Sequence, residues 1–126
     1  MKLSAMLDHL KATPVTVDDP YIVFREYFYV SCTDLMSDAL AMICTNPAQT
    51  VLLTGLANGQ ALRTAEMMDI NVIILCRNKT LGEENVDLAQ SMEMNVYSTA
   101  LPMFDAVGIL FKEGLKTATR NDDQNL

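Results

Sequence analysis

Histidine is nearly absent. The chain has one, His9, in 126 residues, so no histidine triad or histidine zinc site can be assembled elsewhere. Cysteine is scarce and odd in number: Cys32, Cys44 and Cys76 contain no C-x-x-C pair and read as three reduced thiols, not a disulfide framework. No histidine lies near Cys32 or Cys76 in sequence to activate a thiolate, so buried structural thiols are expected there. Positive charge is in deficit, with nine Lys and Arg against sixteen Asp and Glu and a net charge of −7. The basic residues are spread along the chain, and an acidic surface without a basic cluster repels phosphate backbones, which argues against nucleic acid. Long apolar runs are missing too: none approaches the ~20 residues of a membrane span. The first eight residues carry charges near both ends and no long apolar core, unlike a signal peptide. A cytoplasmic chain with no membrane contact is expected.

What is present is an alternation of strand-like and helix-like segments, centred on Thr50 to Arg77. Thr50–Thr54 and Asn71–Arg77 are apolar runs rich in β-branched residues, as suits strands covered on both faces. Asn58 to Met68 between them has helical spacing. That connection is long enough for a crossover helix and too long for a hairpin, and such units are right-handed in nearly all cases. Half of the residues are hydrophobic and a fifth charged, ordinary for a globular chain. The nine methionines suit adaptable core filling and interface.

In chain order, Ser4 can cap a first helix over Ala5 to Lys11, with Met6, Leu7 and Leu10 on one side. Thr13 to Val17, with Pro14, suits an edge strand that could pair either way, and Asp18-Asp19-Pro20 is turn chemistry. The aromatic-rich stretch Tyr21 to Cys32 favours a strand, best placed over Tyr27 to Ser31. A helix follows from Thr33 or Cys32, with Leu35, Ala39, Met42 and Ile43 inward, and Asn46-Pro47 ends it. Thr80 and Glu83 have capping-box spacing for a helix to about Met92, in which Leu81, Leu88, Ala89 and Met92 point inward. Asn95 to Thr99 is a further strand. Pro102 opens a last helix to about Lys116, apolar nearly all round and therefore expected to be buried on more than one side. The pattern predicts a three-layer α/β/α fold with a mainly parallel central sheet of four to five strands. It forms one domain over residues 1–116, followed by a polar, disordered tail over 117–126.

Ligands in such folds bind at the carboxyl ends of strands, which singles out Ser31–Asp34, Thr54–Gln60, Arg77–Thr80 and Ser98–Ala100. Thr54-Gly-Leu-Ala-Asn58-Gly59-Gln60 could offer backbone N–H groups to an anion, or could simply be a tight βα turn with a helix cap. It has neither P-loop nor G-x-G-x-x-G spacing. Arg77 and Lys79 could add positive charge beside it, or be solvated. Asp34 and Asp38 lie one helical turn apart, but no second acidic cluster completes a cation's ligand set. Asp34 in a first helical turn is also favoured by the helix dipole. No catalytic constellation, metal site or cofactor is indicated.

Across about Tyr27 to Phe111 the chain resembles the DRTGG-domain family. These domains occur alone, some encoded beside iron-hydrogenase genes, or inside regulatory proteins such as CBS-containing pyrophosphatases, and are related in fold to the N-terminal domain of HPr kinase/phosphorylase. The resemblance is carried by Tyr29-Val-Ser, Asp34-Leu-Met-Ser-Asp38, Val51-Leu-Leu-Thr54, Val72-Ile-Ile-Leu75, and Ser98-Thr99 followed by Phe104-Asp-Ala-Val107. The chain departs at the naming motif: Val23-Phe-Arg25-Glu-Tyr-Phe28 keeps one Arg and no glycine, so a ligand approach that depends on those glycines would be altered. The resemblance implies a non-catalytic, homodimeric module for regulation or ligand sensing, with adenine nucleotides as the ligand class. On this reading Asp34 and Ser37 orient a small anionic ligand, Asn58 and Gly59 offer donors, and Arg77 neutralises charge. The alternative is an interaction module that docks a partner protein through its C-terminal helix, around Met103, Ala106 and Leu110.

Overall fold

The computed structural model describes residues 1–41 and 43–120. Helix α1 spans Leu3–Leu10, strand β1 Thr13–Thr16, β2 Tyr29–Cys32, α2 Met36–Ala41, β3 Ile43–Cys44 and β4 Thr50–Thr54. Then come α3 over Gly59–Met67, β5 over Val72–Leu75, α4 over Glu83–Ser91, β6 over Asn95–Ser98, α5 over Met103–Lys112, β7 over Lys116–Thr117 and β8 over Thr119–Arg120. The main sheet has six strands in the order β1-β6-β5-β4-β2-β7. All but β1 run parallel, and β1 pairs antiparallel with β6, with a register shift between Pro14 and Thr16. The bulge sits where Pro14 cannot donate a ladder hydrogen bond.

Alternation along the central strands sends side chains to two cores. Val51, Leu53, Val72 and Ile74 pack under α1 and α5 with Leu10, Ala106 and Leu110. Leu52, Ile73, Leu75 and Val96 pack under α2, α3 and α4 with Met36, Leu62 and Ala89. Every residue of β4 and β5 is buried, as an internal parallel strand covered on both faces requires. The three-layer α/β/α arrangement is therefore as expected.

Several boundaries differ from expectation. The strand count is six because β7, two residues long, adds to β2; so short a strand has no periodic signature in sequence. Ordered pairing thus runs past residue 116: Ala118 is buried and its N–H donates to Val30 O at 3.0 Å. Residues 121–126 of the expected tail lie outside the described residues, as does Met42. Helix α1 starts at Leu3 with no side-chain cap, leaving Ser4 inside it. The aromatic stretch opens with a 3₁₀ turn over Pro20–Phe24, capped by Asp19, and only then becomes β2. The α2 helix begins late because the Thr33 hydroxyl accepts from Leu35 N at 3.0 Å, a local turn that competes with the helix. Met36 consequently takes the inward place, and Leu35 is 57% exposed. Helix α4 starts after Gly82, not at the Thr80 box, because buried Leu81 belongs to the second core.

Helix α5 also ends earlier. Gly114, at φ +95°, closes it with Gly114 N to Phe111 O at 3.1 Å and Leu115 N to Leu110 O at 3.0 Å, the paired bonds of a Schellman motif. The same two-bond closure ends α1, α3 and α4 with Lys11, Asp69 and Glu93 in the left-handed position. Nor is α5 buried on several sides. Ala106 and Leu110 face the core, whereas Phe104 and Phe111 are 87% and 78% exposed.

Candidate functional site

Because β2, β4, β5 and β6 are neighbours and point the same way, the turns that follow them meet along one rim. Hydrogen bonds knit them together. Thr33 N donates to Leu53 O at 3.3 Å, Cys76 N to Thr54 O at 2.9 Å and Thr99 N to Leu75 O at 2.8 Å.

Asp34, after β2, is tied to the end of β4. Its Oδ1 accepts from Gly55 N at 2.6 Å and from the Thr54 hydroxyl at 3.0 Å. Thr54 Oγ1, on a fully buried residue, accepts in turn from Leu56 N at 3.1 Å. One carboxylate oxygen thus fixes the β4 turn. The other, Oδ2, has no hydrogen-bond partner among the described residues, and Asp34 itself is exposed.

Arg77, after β5, reaches the same place. A β-carbon on Gly55 would lie 2.9 Å from Arg77 Nη2, 3.3 Å from Asp34 Oδ1 and 3.4 Å from Asp34 Oδ2. Glycine is needed here to let both side chains close over the backbone. Arg77 and Asn78 both have left-handed backbones, at φ 59° and 58°, in a turn closed by Lys79 N to Cys76 O at 3.3 Å. Two positive φ values in a row mark a type I′ turn, which favours Asn and Gly, not Arg. The last β6 turn holds it: Arg77 N donates to Leu101 O and Asn78 N to Thr99 O, both at 2.8 Å, and the Ser98 hydroxyl donates to Lys79 O at 2.5 Å. The buried Thr99 hydroxyl donates to Leu10 O at 2.6 Å, tying the rim to the end of α1. The Arg77 guanidinium makes no ion pair or hydrogen bond among the described residues.

The other predicted residues sit apart from this pair. Asn58 caps α3, its Oδ1 accepting from Ala61 N at 3.2 Å. Gly59 opens that helix, and a β-carbon there would meet Arg63 Nη1 at 3.1 Å, with Asn85 Oδ1 and Leu88 Cδ2 at 3.4 Å. Its smallness serves the approach of α3 to α4. Ser37 is exposed in the first turn of α2. The structure thus brings Asp34 and Arg77 together over Gly55, and places Asn58 and Gly59 at a neighbouring helix start. Gly55, Thr54 and Thr99 complete the rim. All three lie in the strand-end turns singled out in the sequence, but their particular contacts, with residues far away along the chain, carry no local signal.

Cys76 is buried as expected, whereas Cys32, at the end of β2 beside the groove under α5, is exposed and not the buried thiol expected there. Burial pushes the Cys76 pKa up to about 11, with Cys32 and Asp34 adding to the rise and Arg77 opposing it, which makes it a poor nucleophile; partial desolvation, then Asp34, raise that of Cys32. Among the described residues no three His, Cys, Asp or Glu side chains cluster to hold a metal, and no helix is long and apolar enough to cross a membrane. Two grooves lie away from Asp34 and Arg77: one of about 270 Å³ between β2 and α5, another of about 610 Å³ beside α1 and β1.

No protein-family model matches the sequence, and no curated protein matches it. Among solved structures, the chain is similar to the CBS and DRTGG domains of the regulatory region of Clostridium perfringens pyrophosphatase, complexed with its activator diadenosine tetraphosphate. The TM-score is 0.68 at 18% identity, over 97% of this chain and 51% of that one. The shared property is the fold, and the chain spans about half the length of that neighbour.

Proposed function

We propose that the protein is a non-catalytic, ligand-sensing regulatory module of the DRTGG type, working in the cytoplasm and taking a small anionic ligand, a nucleotide, at the carboxyl ends of its parallel strands. The observation that carries this reading is Arg77. A strained backbone turn holds its guanidinium over a glycine, beside a carboxylate, with no ion pair among the described residues. Left-handed non-glycine residues cost energy and concentrate where a site needs them. In this site Arg77 neutralises phosphate, for which its planar fork is suited. Asp34 Oδ2 accepts from a ligand hydroxyl or amine, and Ser37 adds a further polar contact. Asn58 and Gly59 contribute through the first turn of α3, where the Ala61 amide is already taken by Asn58 Oδ1 and the Gly59 and Gln60 amides lack intrahelical partners. The fold neighbour's activator makes adenine nucleotides the first to test.

The test is a thermal-shift and calorimetric panel of AMP, ATP and dinucleoside polyphosphates. Ligand at about 100 times Kd adds roughly 2.7 kcal/mol of stability. No shift with any nucleotide would retire this reading. The alternative, a module docking a partner protein, is favoured by the open face of α5. That face is not the expected one, since Ala106 and Leu110 are buried; it is formed by Phe104, Val107 and Phe111. A Leu110→Asp change would therefore disrupt the core and report nothing about docking.

A further inference from the structure

We propose that the groove beside α1 and β1 is a second ligand site, separate from the strand-end rim. Its occupant is a small molecule with an apolar body and a protonated amine, held by the Tyr97 hydroxyl and the Asp8 carboxylate. The groove, of about 610 Å³, is walled by α1, β1 and the 3₁₀ turn over Pro20–Phe24. Leu7, Ala12, Val17 and Val23 give it apolar sides, each packed against the first core. Buried Asn95 fixes the approach to that turn. Its Oδ1 accepts from Asp18 N and Asp19 N, both at 3.0 Å, while its amide donates to Asn71 O at 3.1 Å. The walls are thus set by the fold before any ligand arrives, as in most small-molecule sites.

Tyr97 supplies the polar group. It is 3% exposed, and its hydroxyl has no hydrogen-bond partner among the described residues. Every fully buried side-chain nitrogen or oxygen among those residues has one, so this hydroxyl opens into the groove that Tyr97 lines. The contrast is Tyr27, whose hydroxyl donates to Asn71 Oδ1 at 3.2 Å. A buried tyrosine ordinarily finds a partner, because an unpaired hydroxyl in apolar surroundings is unfavourable. At Tyr97 a ligand atom fills that role.

Charge selects the head group. Asp8 is the one charged side chain among the described residues lining the groove, and it is exposed and without an ion pair among them. Burial raises the Tyr97 pKa, and nearby Tyr27 and Asp19 add to the rise, which places a second carboxylate close to the hydroxyl. Helix α1 also ends at Leu10, next to Ala12 in the groove wall, so its negative dipole end faces the same side. All three repel a carboxylate or phosphate and favour an ammonium.

Two matched pairs test this on the full chain: tryptamine with indole-3-acetate, and hexylamine with hexanoate. Calorimetry should show at least one amine binding, its carboxylate twin about 5-fold weaker or worse. Amide chemical shifts should move at Leu7, Ala12, Val17 and Tyr97, and not at Gly55 or Arg77. Tyr97→Phe removes a hydroxyl that bonds no described residue, so it should keep the wild-type melting temperature while weakening the amine about 10-fold. Asp8→Asn, at an exposed position, should narrow the gap between amine and carboxylate even if Tyr97→Phe perturbs folding. The proposal is overturned if neither amine binds at millimolar concentration, or if the carboxylates bind as tightly as the amines. Amine binding that neither variant alters overturns it as well.

Discussion

Replacing Arg77 with glycine should make the protein more stable and less able to bind. The left-handed region costs an ordinary residue about 1–2 kcal/mol, and Arg77 sits there at φ 59°. Glycine adopts that conformation freely, but its looser unfolded chain returns about 0.5–1 kcal/mol. The Arg77 side chain is exposed and unpaired among the described residues, so little else is lost. The net expectation is a gain of roughly 0.5–1 kcal/mol, a rise in Tm of a few degrees. Asn78→Gly at φ 58° should gain less, because asparagine tolerates this region. Removing the cation should meanwhile weaken nucleotide binding about 10- to 100-fold, the worth of a charged hydrogen bond. Urea unfolding and thermal melts of the ligand-free variants, followed by calorimetry with an adenine nucleotide, separate the effects. A variant less stable than wild type, with binding intact, would show that this turn does not store strain to aim a cation.

Other outcomes follow from particular contacts. Gly55→Ala should change stability by less than about 1 kcal/mol, because its β-carbon meets the movable end of Arg77, yet it should reduce ligand-induced stabilisation by displacing that guanidinium; thermal shift with and without nucleotide reads both. Glu93→Gly, at the left-handed end of α4, should raise stability by about 0.5–1 kcal/mol with no effect on binding. Thr99→Val should cost about 1–3 kcal/mol in denaturant titrations, since it leaves the Leu10 carbonyl without its 2.6 Å partner. Alkaline pH should destabilise the fold through Cys76. Its folded pKa, near 11, exceeds the ordinary 9.0, so its contribution is complete below pH 9 and is lost as pH rises toward 11, amounting to at most about 2–3 kcal/mol. Melts at pH 8 and 11 compared between wild type and Cys76→Ala test this, and an identical pH dependence would exclude the thiol as its source.

The features legible in sequence were those whose cause is local. The uninterrupted apolar runs at β4 and β5 announced internal parallel strands, because a strand covered on both faces has no polar side to alternate with. Asn58 announced the start of α3 because a capping side chain acts within three residues. Errors arose where tertiary packing outbid a local rule. Thr80 and Glu83 have the spacing of a capping box, but the core takes Leu81 and delays α4 to Glu83. Helix α5, apolar all round, gave no sign of which face would lie inward, so the open stripe was missed. The same distinction divides the rim. Strand ends could be located from hydrophobic periodicity. The Asp34 bond to Gly55, across 21 residues, and the positive φ of Arg77, a residue that seldom adopts it, are visible only in three dimensions.

Whether the strand-end rim holds a nucleotide is read most directly from a map of backbone amide chemical shifts as an adenine nucleotide is added to the labelled protein. Shifts concentrated at Gly55, Arg77, Asn78 and Thr99, and weakened by Arg77→Gly, are the predicted result. Shifts confined to the groove beside α1 and β1, or none at saturating nucleotide, would contradict it.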